Sequence, residues 1–290
     1  MYSSAFDYKA PGTLEEALTM LAEVGDEGRV LAGGQSLIPM MKLRLAVPGV
    51  LIDINGLPGL DHIEGANGHL RVGALVRHND IVNSAVVAQA NHTMAAAAPW
   101  IADPLVRNRG TVCGSVAHCD PEGDWNSVML ALRARVVARS TSGERVIPID
   151  DFVVDFFTNS LQPGEMVTEV RIPHYSGPAG GTYLKLERKI GDYATAAVAT
   201  HLQLDSAGKI EQAGIALTAV NSINTRATAA EDALVGETPS EELFKEAAEL
   251  AAQASDPEDN VRGPAEYKRD VVRVYTRRGL ARALELAQAS

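Results

Sequence analysis

The chain has 290 residues, 46% hydrophobic and 22% charged, a length for one large domain or two to three small ones. Its 26 basic and 37 acidic side chains leave a formal net charge of −11, and no basic stripe offsets it, so nucleic acid and anionic membrane are poor partners. Two cysteines, Cys113 and Cys119, exclude a disulfide framework and an iron–sulfur cluster built by this chain alone, which needs about four thiolates.

No apolar run approaches the ~18 residues of a transmembrane helix, and the first residues lack the charged-then-apolar pattern of a signal peptide. A cytoplasmic protein is expected.

The first segment reads as β-α-β. Thr13 begins a capping box with Glu16, and Leu14, Ala17, Leu18, Leu21 and Ala22 form one apolar helical face that Gly25 and Gly28 end. Arg29 to Leu31 is a short strand. Pro39 suits a first helical turn, with residues 40–45 as a short helix, and Val50 to Ile54 is the next strand. A β-α-β of this size implies parallel strands.

The middle segment is strand-rich, with candidates at residues 69–74, 135–139, 145–149 and 166–172, and helices at 80–90 and 125–132. Asp150 or Asp151 is expected to cap the turn at Phe152, although a pair of catalytic carboxylates is the alternative. Pro173, Gly177, Pro178, Gly180 and Gly181 cluster as a boundary, which places a domain junction near residue 177.

The last segment opens with period-two alternation over Thr195 to Leu204, which predicts one buried strand face. A turn at 205–208 and a returning strand at 210–220 complete a hairpin, and helices follow at 226–234, 240–254 and 265–289. In the last helix Tyr267, Val271, Val274 and Tyr275 share a face, continued by Leu280 and Leu284.

Two short glycine-containing stretches carry the chemistry. In Ala32-Gly33-Gly34-Gln35-Ser36 the glycines reach positive φ and admit close approach to a ligand, so successive amides can form a nest for phosphate oxygens. In Thr111-Val112-Cys113-Gly114-Ser115 two hydroxyls flank Gly114. Each alone is equally a plain turn; together they point to two backbone cradles closing on one long anion. Neither is a P-loop or a dinucleotide fingerprint. No Gly-x-Ser-x-Gly elbow is present, and Cys113, His118, Cys119 and Asp120 match no standard zinc spacing. Lys185 and Arg188, followed by the turn Lys189 to Tyr193, suit a clamp on a flat charged cofactor or an exposed basic strand end.

These residues resemble a known family. The run from Ala32 to Arg44 is similar to the first flavin loop of the medium, FAD-binding subunit of molybdenum hydroxylases, the xanthine dehydrogenase family, and most of all to the aerobic carbon monoxide dehydrogenase branch. The run from Arg107 to His118 resembles its second loop. Glu187 to Ala194 and Ala265 to Arg269 also match, so the likeness spans the chain in order.

The resemblance implies an α+β chain: a two-subdomain FAD-binding fold of the vanillyl-alcohol oxidase type, then a C-terminal domain with an antiparallel sheet and helices. The divisions would be 1–177 for the FAD-binding domain (1–55 the βαβ part, 56–177 the strand-rich part) and 178–290 for the C-terminal domain. Ala32, Gly33, Gly34, Gln35, Ser36 and Leu37, with Thr111, Val112, Cys113, Gly114 and Ser115, would hold the FAD diphosphate, and Ala117 and His118 would lie beside it. Ile101 and Ala102 would line the cleft, Asp124 would contact the ribityl or ring end, Leu161 and Lys185 would flank the isoalloxazine, and Tyr193 would lie against or gate its face. No catalytic residue and no metal ligand is implied.

The implied activity is that of an oxidoreductase subunit whose FAD takes electrons from a small [2Fe–2S] subunit and passes them to a quinone or other acceptor. A large molybdenum-cofactor subunit would oxidise carbon monoxide or, in related enzymes, an aldehyde, purine or N-heterocycle. A flavin-free scaffold is the alternative of another class. A dimer of heterotrimers is implied, cytoplasmic or held at the inner face of the membrane through the complex. Two departures stand out: Cys113 replaces the usual first glycine of the second loop, and Gln35 stands where histidine is common. Left-handed φ costs a non-glycine residue about 1–2 kcal/mol, so position 113 is expected not to need it.

Overall fold

The computed structural model describes residues 2–289. Its first sheet is parallel, with Val50–Asp53 between Asp7–Lys9 and Gly28–Leu31. The helix Leu14–Val24 crosses over it and buries Ala17, Leu18 and Leu21. The Thr13 hydroxyl accepts the Glu16 amide at 3.1 Å, while the Glu16 carboxylate takes the amide of Gly12 at 2.7 Å, one residue upstream of the expected capping box. The next helix is Leu37–Lys42, three residues earlier than its predicted start.

The second sheet is antiparallel, in the order Ile63–Ala66, His69–Gly73, Met166–Pro173, Arg135–Ser140, Gly143–Pro148. Ile63–Ala66 is an addition to the sequence reading. Asn67 and Gly68, at φ 54 and 75, turn it back as two-residue hairpins favour. The helix expected over 80–90 is two, His78–Asn83 and Ala85–Ala90, because Ser84 leaves helical geometry and caps the second through Val87 N. Asp150 caps nothing: its carboxylate accepts from Arg226 Nη1 at 2.6 Å, and the turn Ile149–Phe152 has no side-chain cap.

The third sheet, Ala179–Glu187, Ala194–Leu204, Ile210–Thr218 and Thr225–Arg226, is antiparallel. Helices Thr228–Leu234, Glu241–Gln253 and Ala265–Gln288 complete this segment. Ala194–Leu204 is buried along its whole length, not on one face as alternation predicts. Ala196, Val198, Leu202 and Leu204 share a core with these C-terminal helices, while Ala197 and Ala199 join the core of the N-terminal segment. Both faces are dry because the sheet is a middle layer. In the last helix Val271, Val272, Leu280, Ala283 and Ala287 turn inward, whereas Tyr267, expected on that face, is half-exposed.

The helix Asp124–Ala131 joins the two segments, and all eight of its residues are buried. It lies on Ile210–Thr218, where Gly214 lets it approach: a Cβ at Gly214 would stand 1.9 Å from the Ala131 carbonyl oxygen. Gly214→Ala should therefore destabilise the chain by about 1–3 kcal/mol, the cost of overpacking, measured as a lower urea midpoint. An unchanged midpoint would show that the helix is free to shift.

Candidate functional site

A cleft of about 1080 Å³ opens beside the first sheet. One wall is the turn after Gly28–Leu31. Ala32, Gly33, Gly34, Gln35, Ser36 and Leu37 all line it, and Gly34 has φ +72. Among the described residues, the amides of 33–37 find no acceptor in the chain, whereas the Ile38 amide closes onto Gly34 O. Successive unpaired amides at a helix start form the arrangement that holds phosphate.

The facing wall is a helix start rather than a loop. Val112–His118 is helical, and the Thr111 hydroxyl caps it by accepting the Gly114 amide at 3.0 Å. Thr111, Cys113, Gly114, Ser115, Ala117 and His118 line the cleft. Val112 does not: its side chain is in the core and its amide donates to Val76 O. Cys113 lies inside the helix and is absent from the residues of positive φ, so glycine is not required there. Its buried thiol donates to Val72 O at 3.5 Å, and burial pushes its pKa up. The Cys119 thiol likewise donates to Val116 O and is pushed up to about 12. Both thiols thus have carbonyl partners, and position 119, the left-handed C-cap of the helix, carries the strain instead.

The two walls touch through bare backbone. A Cβ at Gly33 would lie 2.4 Å from Arg109 O and 2.6 Å from Gly110 Cα. Behind them His78 accepts from Trp125 Nε1 through Nδ1 at 3.0 Å. Burial, helped by Arg107 and Arg77, lowers the His78 pKa to about 4.

The far end of the cleft is polar and buried. Asp124 accepts from Tyr183 Oη at 2.5 Å and from Lys185 Nζ at 3.0 Å, and Lys185 also donates to Trp100 O at 3.1 Å. Burial raises the Asp124 pKa despite the opposing pull of Lys185 and Tyr183. Lys185 is 5% exposed, so it is a lining cation and not an exposed strand end. Arg188 points elsewhere, to Asp192 at 3.2 Å.

Ile101 and Ala102 form the adjoining edge, and Arg107 Nη1 donates to both their carbonyls, at 2.8 and 3.0 Å. Ala102 sits at φ 42, a strained setting for alanine. Its carbonyl packs against Gly191, itself at φ +83, which carries the turn to Tyr193. Tyr193 is half-exposed, and burial together with Asp120 pushes its pKa up to about 12. The Arg262 guanidinium stands 5.9 Å from the centre of its ring. Leu161 also lines the cleft; its amide donates to Asn159 Oδ1 at 3.0 Å, and Asn159 Nδ2 donates to Ala117 O at 2.7 Å.

The sequence reading missed Asn55, Arg77, His78, Tyr183 and Arg262. Their signals are not local: each acts through a residue 22 or more positions away.

Residues 4–175 match the family described as the FAD binding domain in molybdopterin dehydrogenase, and residues 181–283 match the CO dehydrogenase flavoprotein C-terminal domain. The chain is 38% identical over 288 residues to the 6-hydroxypseudooxynicotine dehydrogenase complex subunit alpha of Paenarthrobacter nicotinovorans, covering 99% of this chain and 97% of that one. It is 36% identical over 280 residues to the carbon monoxide dehydrogenase medium chain of Hydrogenophaga pseudoflava, covering 97% of each. It superposes on a solved carbon monoxide dehydrogenase from Hydrogenophaga pseudoflava with a TM-score of 0.94 at 38% identity, over 98% of this chain and 99% of that one. The chain belongs to the FAD-binding subunit family of the molybdenum hydroxylases. It is a flavoprotein subunit of an oxidoreductase, and its cofactor is FAD.

Gly33→Ala should abolish FAD retention, because the new methyl meets backbone on the facing wall. Cys113→Gly should keep FAD while melting at a lower temperature, since a buried side chain and helix propensity are lost. Flavin absorbance after gel filtration distinguishes them, and FAD loss in Cys113→Gly would contradict the helical account of position 113.

The His78 pKa of about 4 has a second consequence. An unfolded histidine titrates near ~6.5, so between these values the unfolded chain binds one proton more. Stability is full above the window and falls with pH at about 1.4 kcal/mol per pH unit per such group. His201, buried and lowered to about 3, adds to the slope. His78→Asn keeps an acceptor for Trp125 and should remove about one proton from the dependence, read by urea unfolding of the FAD-free chain across pH 4–6.5.

Proposed function

We propose that this chain is the electron-relay subunit of a molybdenum hydroxylase of the carbon monoxide dehydrogenase type. The observation that carries the reading is the run of unpaired amides at 33–37 facing the capped helix start at 111–114. That pair of walls suits a diphosphate, and the buried polar end at Asp124 and Lys185 suits the ribityl and ring end of FAD. Ala117 and His118 would lie beside the diphosphate, Leu161 and the Ile101–Ala102 edge would flank the ring, and Tyr193 would lie against or gate its face.

Bound FAD would supply a two-electron store between one-electron iron–sulfur donors and a quinone or other acceptor. The chain's own residues bind and orient it. The unpaired amides of 33–37 and the positive end of the helix that Thr111 caps would stabilise the diphosphate in a chain of net negative charge. Lys185, held by Asp124 and the Trp100 carbonyl with Glu187 at 3.8 Å, would offer the ring end of FAD a fixed, ion-paired donor. No general acid or base is required of this chain. The partners in this reading are a small [2Fe–2S] subunit and a large molybdenum-cofactor subunit, as a dimer of heterotrimers in the cytoplasm or at the inner membrane face. Among the described residues no helix is long and apolar enough to cross a membrane. A division near residue 177 into FAD-binding and C-terminal domains belongs to the same reading.

The match to the Hydrogenophaga pseudoflava enzyme favours carbon monoxide as the substrate of the complex. A second reading, an N-heterocyclic or related organic substrate, is favoured by the 38% identity to the 6-hydroxypseudooxynicotine dehydrogenase subunit. Substrate oxidation would belong to the large subunit. The test is co-purification of the chain with its partners, analysis for FAD, iron and molybdenum, and dye reduction driven by carbon monoxide or by N-heterocycles. All three cofactors and carbon-monoxide-dependent reduction are expected. A colourless chain that cannot be reconstituted with FAD would overturn the relay reading.

A further inference from the structure

We propose that Arg77 and Asn55 are a pair of positioning residues that set the separation of the two diphosphate walls; the assignment rests on the FAD-subunit reading above. Neither side chain lines the cleft. Arg77 donates through Nη1 to Arg109 O at 2.5 Å and through Nη2 to Asn55 Oδ1 at 2.6 Å. Asn55 donates through Nδ2 to Ala32 O at 2.8 Å. Three hydrogen bonds therefore join the residue before Gly33 to the residue before Gly110, alongside the bare backbone contact of these walls.

The strap is anchored at both ends. Asp53 Oδ1 accepts from the Asn55 amide at 2.9 Å and from Asn55 Nδ2 at 2.6 Å, and Asp53 Oδ2 accepts from Tyr8 Oη at 2.6 Å. The Arg77 amide donates to Asp80 Oδ2 at 2.8 Å, and Arg77 bridges Thr111, the cap of the second wall. Both residue types are needed. A guanidinium offers two donors in fixed fork geometry, which an ammonium does not. An amide accepts from the arginine and donates to a carbonyl at once, which a carboxylate does not. The walls come from a strand of one sheet and from a helix outside that sheet; they share a core, and at the cleft itself they meet at Gly33 and through this strap.

The test uses the full chain freed of FAD, with FAD and ADP as titrants. ADP reports the diphosphate walls without the ring. Arg77→Ala, Arg77→Lys and Asn55→Asp should each weaken FAD and ADP alike by roughly 10- to 100-fold, the range for losing a charge-assisted hydrogen bond. FAD bound at saturation should keep the wild-type visible circular dichroism, because Asp124, Lys185 and Tyr193 are untouched. With the single variant Asn55→Ala measured alongside, the double variant Arg77→Ala/Asn55→Ala should bind no more weakly than the worse of Arg77→Ala and Asn55→Ala, as expected of one coupled unit. If Arg77→Ala loses a cooperative melt, Arg77→Lys and Asn55→Asp carry the test.

Affinities within about threefold of wild type, additive losses in the double variant, or loss of FAD affinity with ADP unaffected would each overturn the pairing while leaving the flavin reading intact. A wild-type chain that binds neither FAD nor ADP would overturn both.

Discussion

Gly33 meets the Arg109–Gly110 backbone with nothing between them. Two walls from different elements thereby meet in direct backbone contact, and residues of both line the cleft. The first wall needs a parallel strand that ends where its amides turn outward. The second needs a helix start, capped by Thr111 through the Gly114 amide, whose residues line the cleft. A helix start and a run of unpaired amides both present partial positive charge. An acidic chain can therefore hold an anion without a basic surface.

The other end of the cleft depends on the middle layer. Asp124 is the first residue of a fully buried helix, and Tyr183 and Lys185 come from a strand of the third sheet. Their meeting requires the helix to lie directly on that sheet, which the bare Cα of Gly214 permits. The contact is continued by Ser127 and Thr218, whose hydroxyls are 2.5 Å apart. A buried carboxylate and ammonium are costly unless fully paired. Here the carboxylate has two donors and the ammonium an additional carbonyl, so the pair is held as a rigid polar floor.

Much of this was legible in the chain. Glycines at 33 and 34 and Thr111 ahead of Gly114 announced both walls, and the turn through Gly191 to Tyr193 announced the third edge. Other readings failed for identifiable reasons. The helix at Val112–His118 was hidden because Gly114 and Ser115 read as a turn, and only the Thr111 cap with apolar neighbours at 112 and 116 reveals it. Alternation along Ala194–Leu204 was real, but it recorded a strand shared between two cores, with Ala196, Val198, Leu202 and Leu204 on one face and Ala197, Ala199, His201 and Gln203 on the other, not buried against exposed. Asp150 looked like a cap by position, yet Arg226, distant in the chain, claimed it.

Local sequence determined most of the elements and the glycine turns, and composition left too few thiols for an iron–sulfur cluster built by this chain alone. These depend on φ preferences, capping and apolar spacing within a few residues, and they are properties of short segments. Tertiary structure alone decided that the two glycine stretches face each other and that Cys113 points into the core. It also decided that Lys185 is buried against Asp124 and that Arg77 and Asn55 link the walls. Each of these rests on contacts between segments far apart in sequence. No local preference encodes such a pairing; the packing of three sheets around shared cores supplies it.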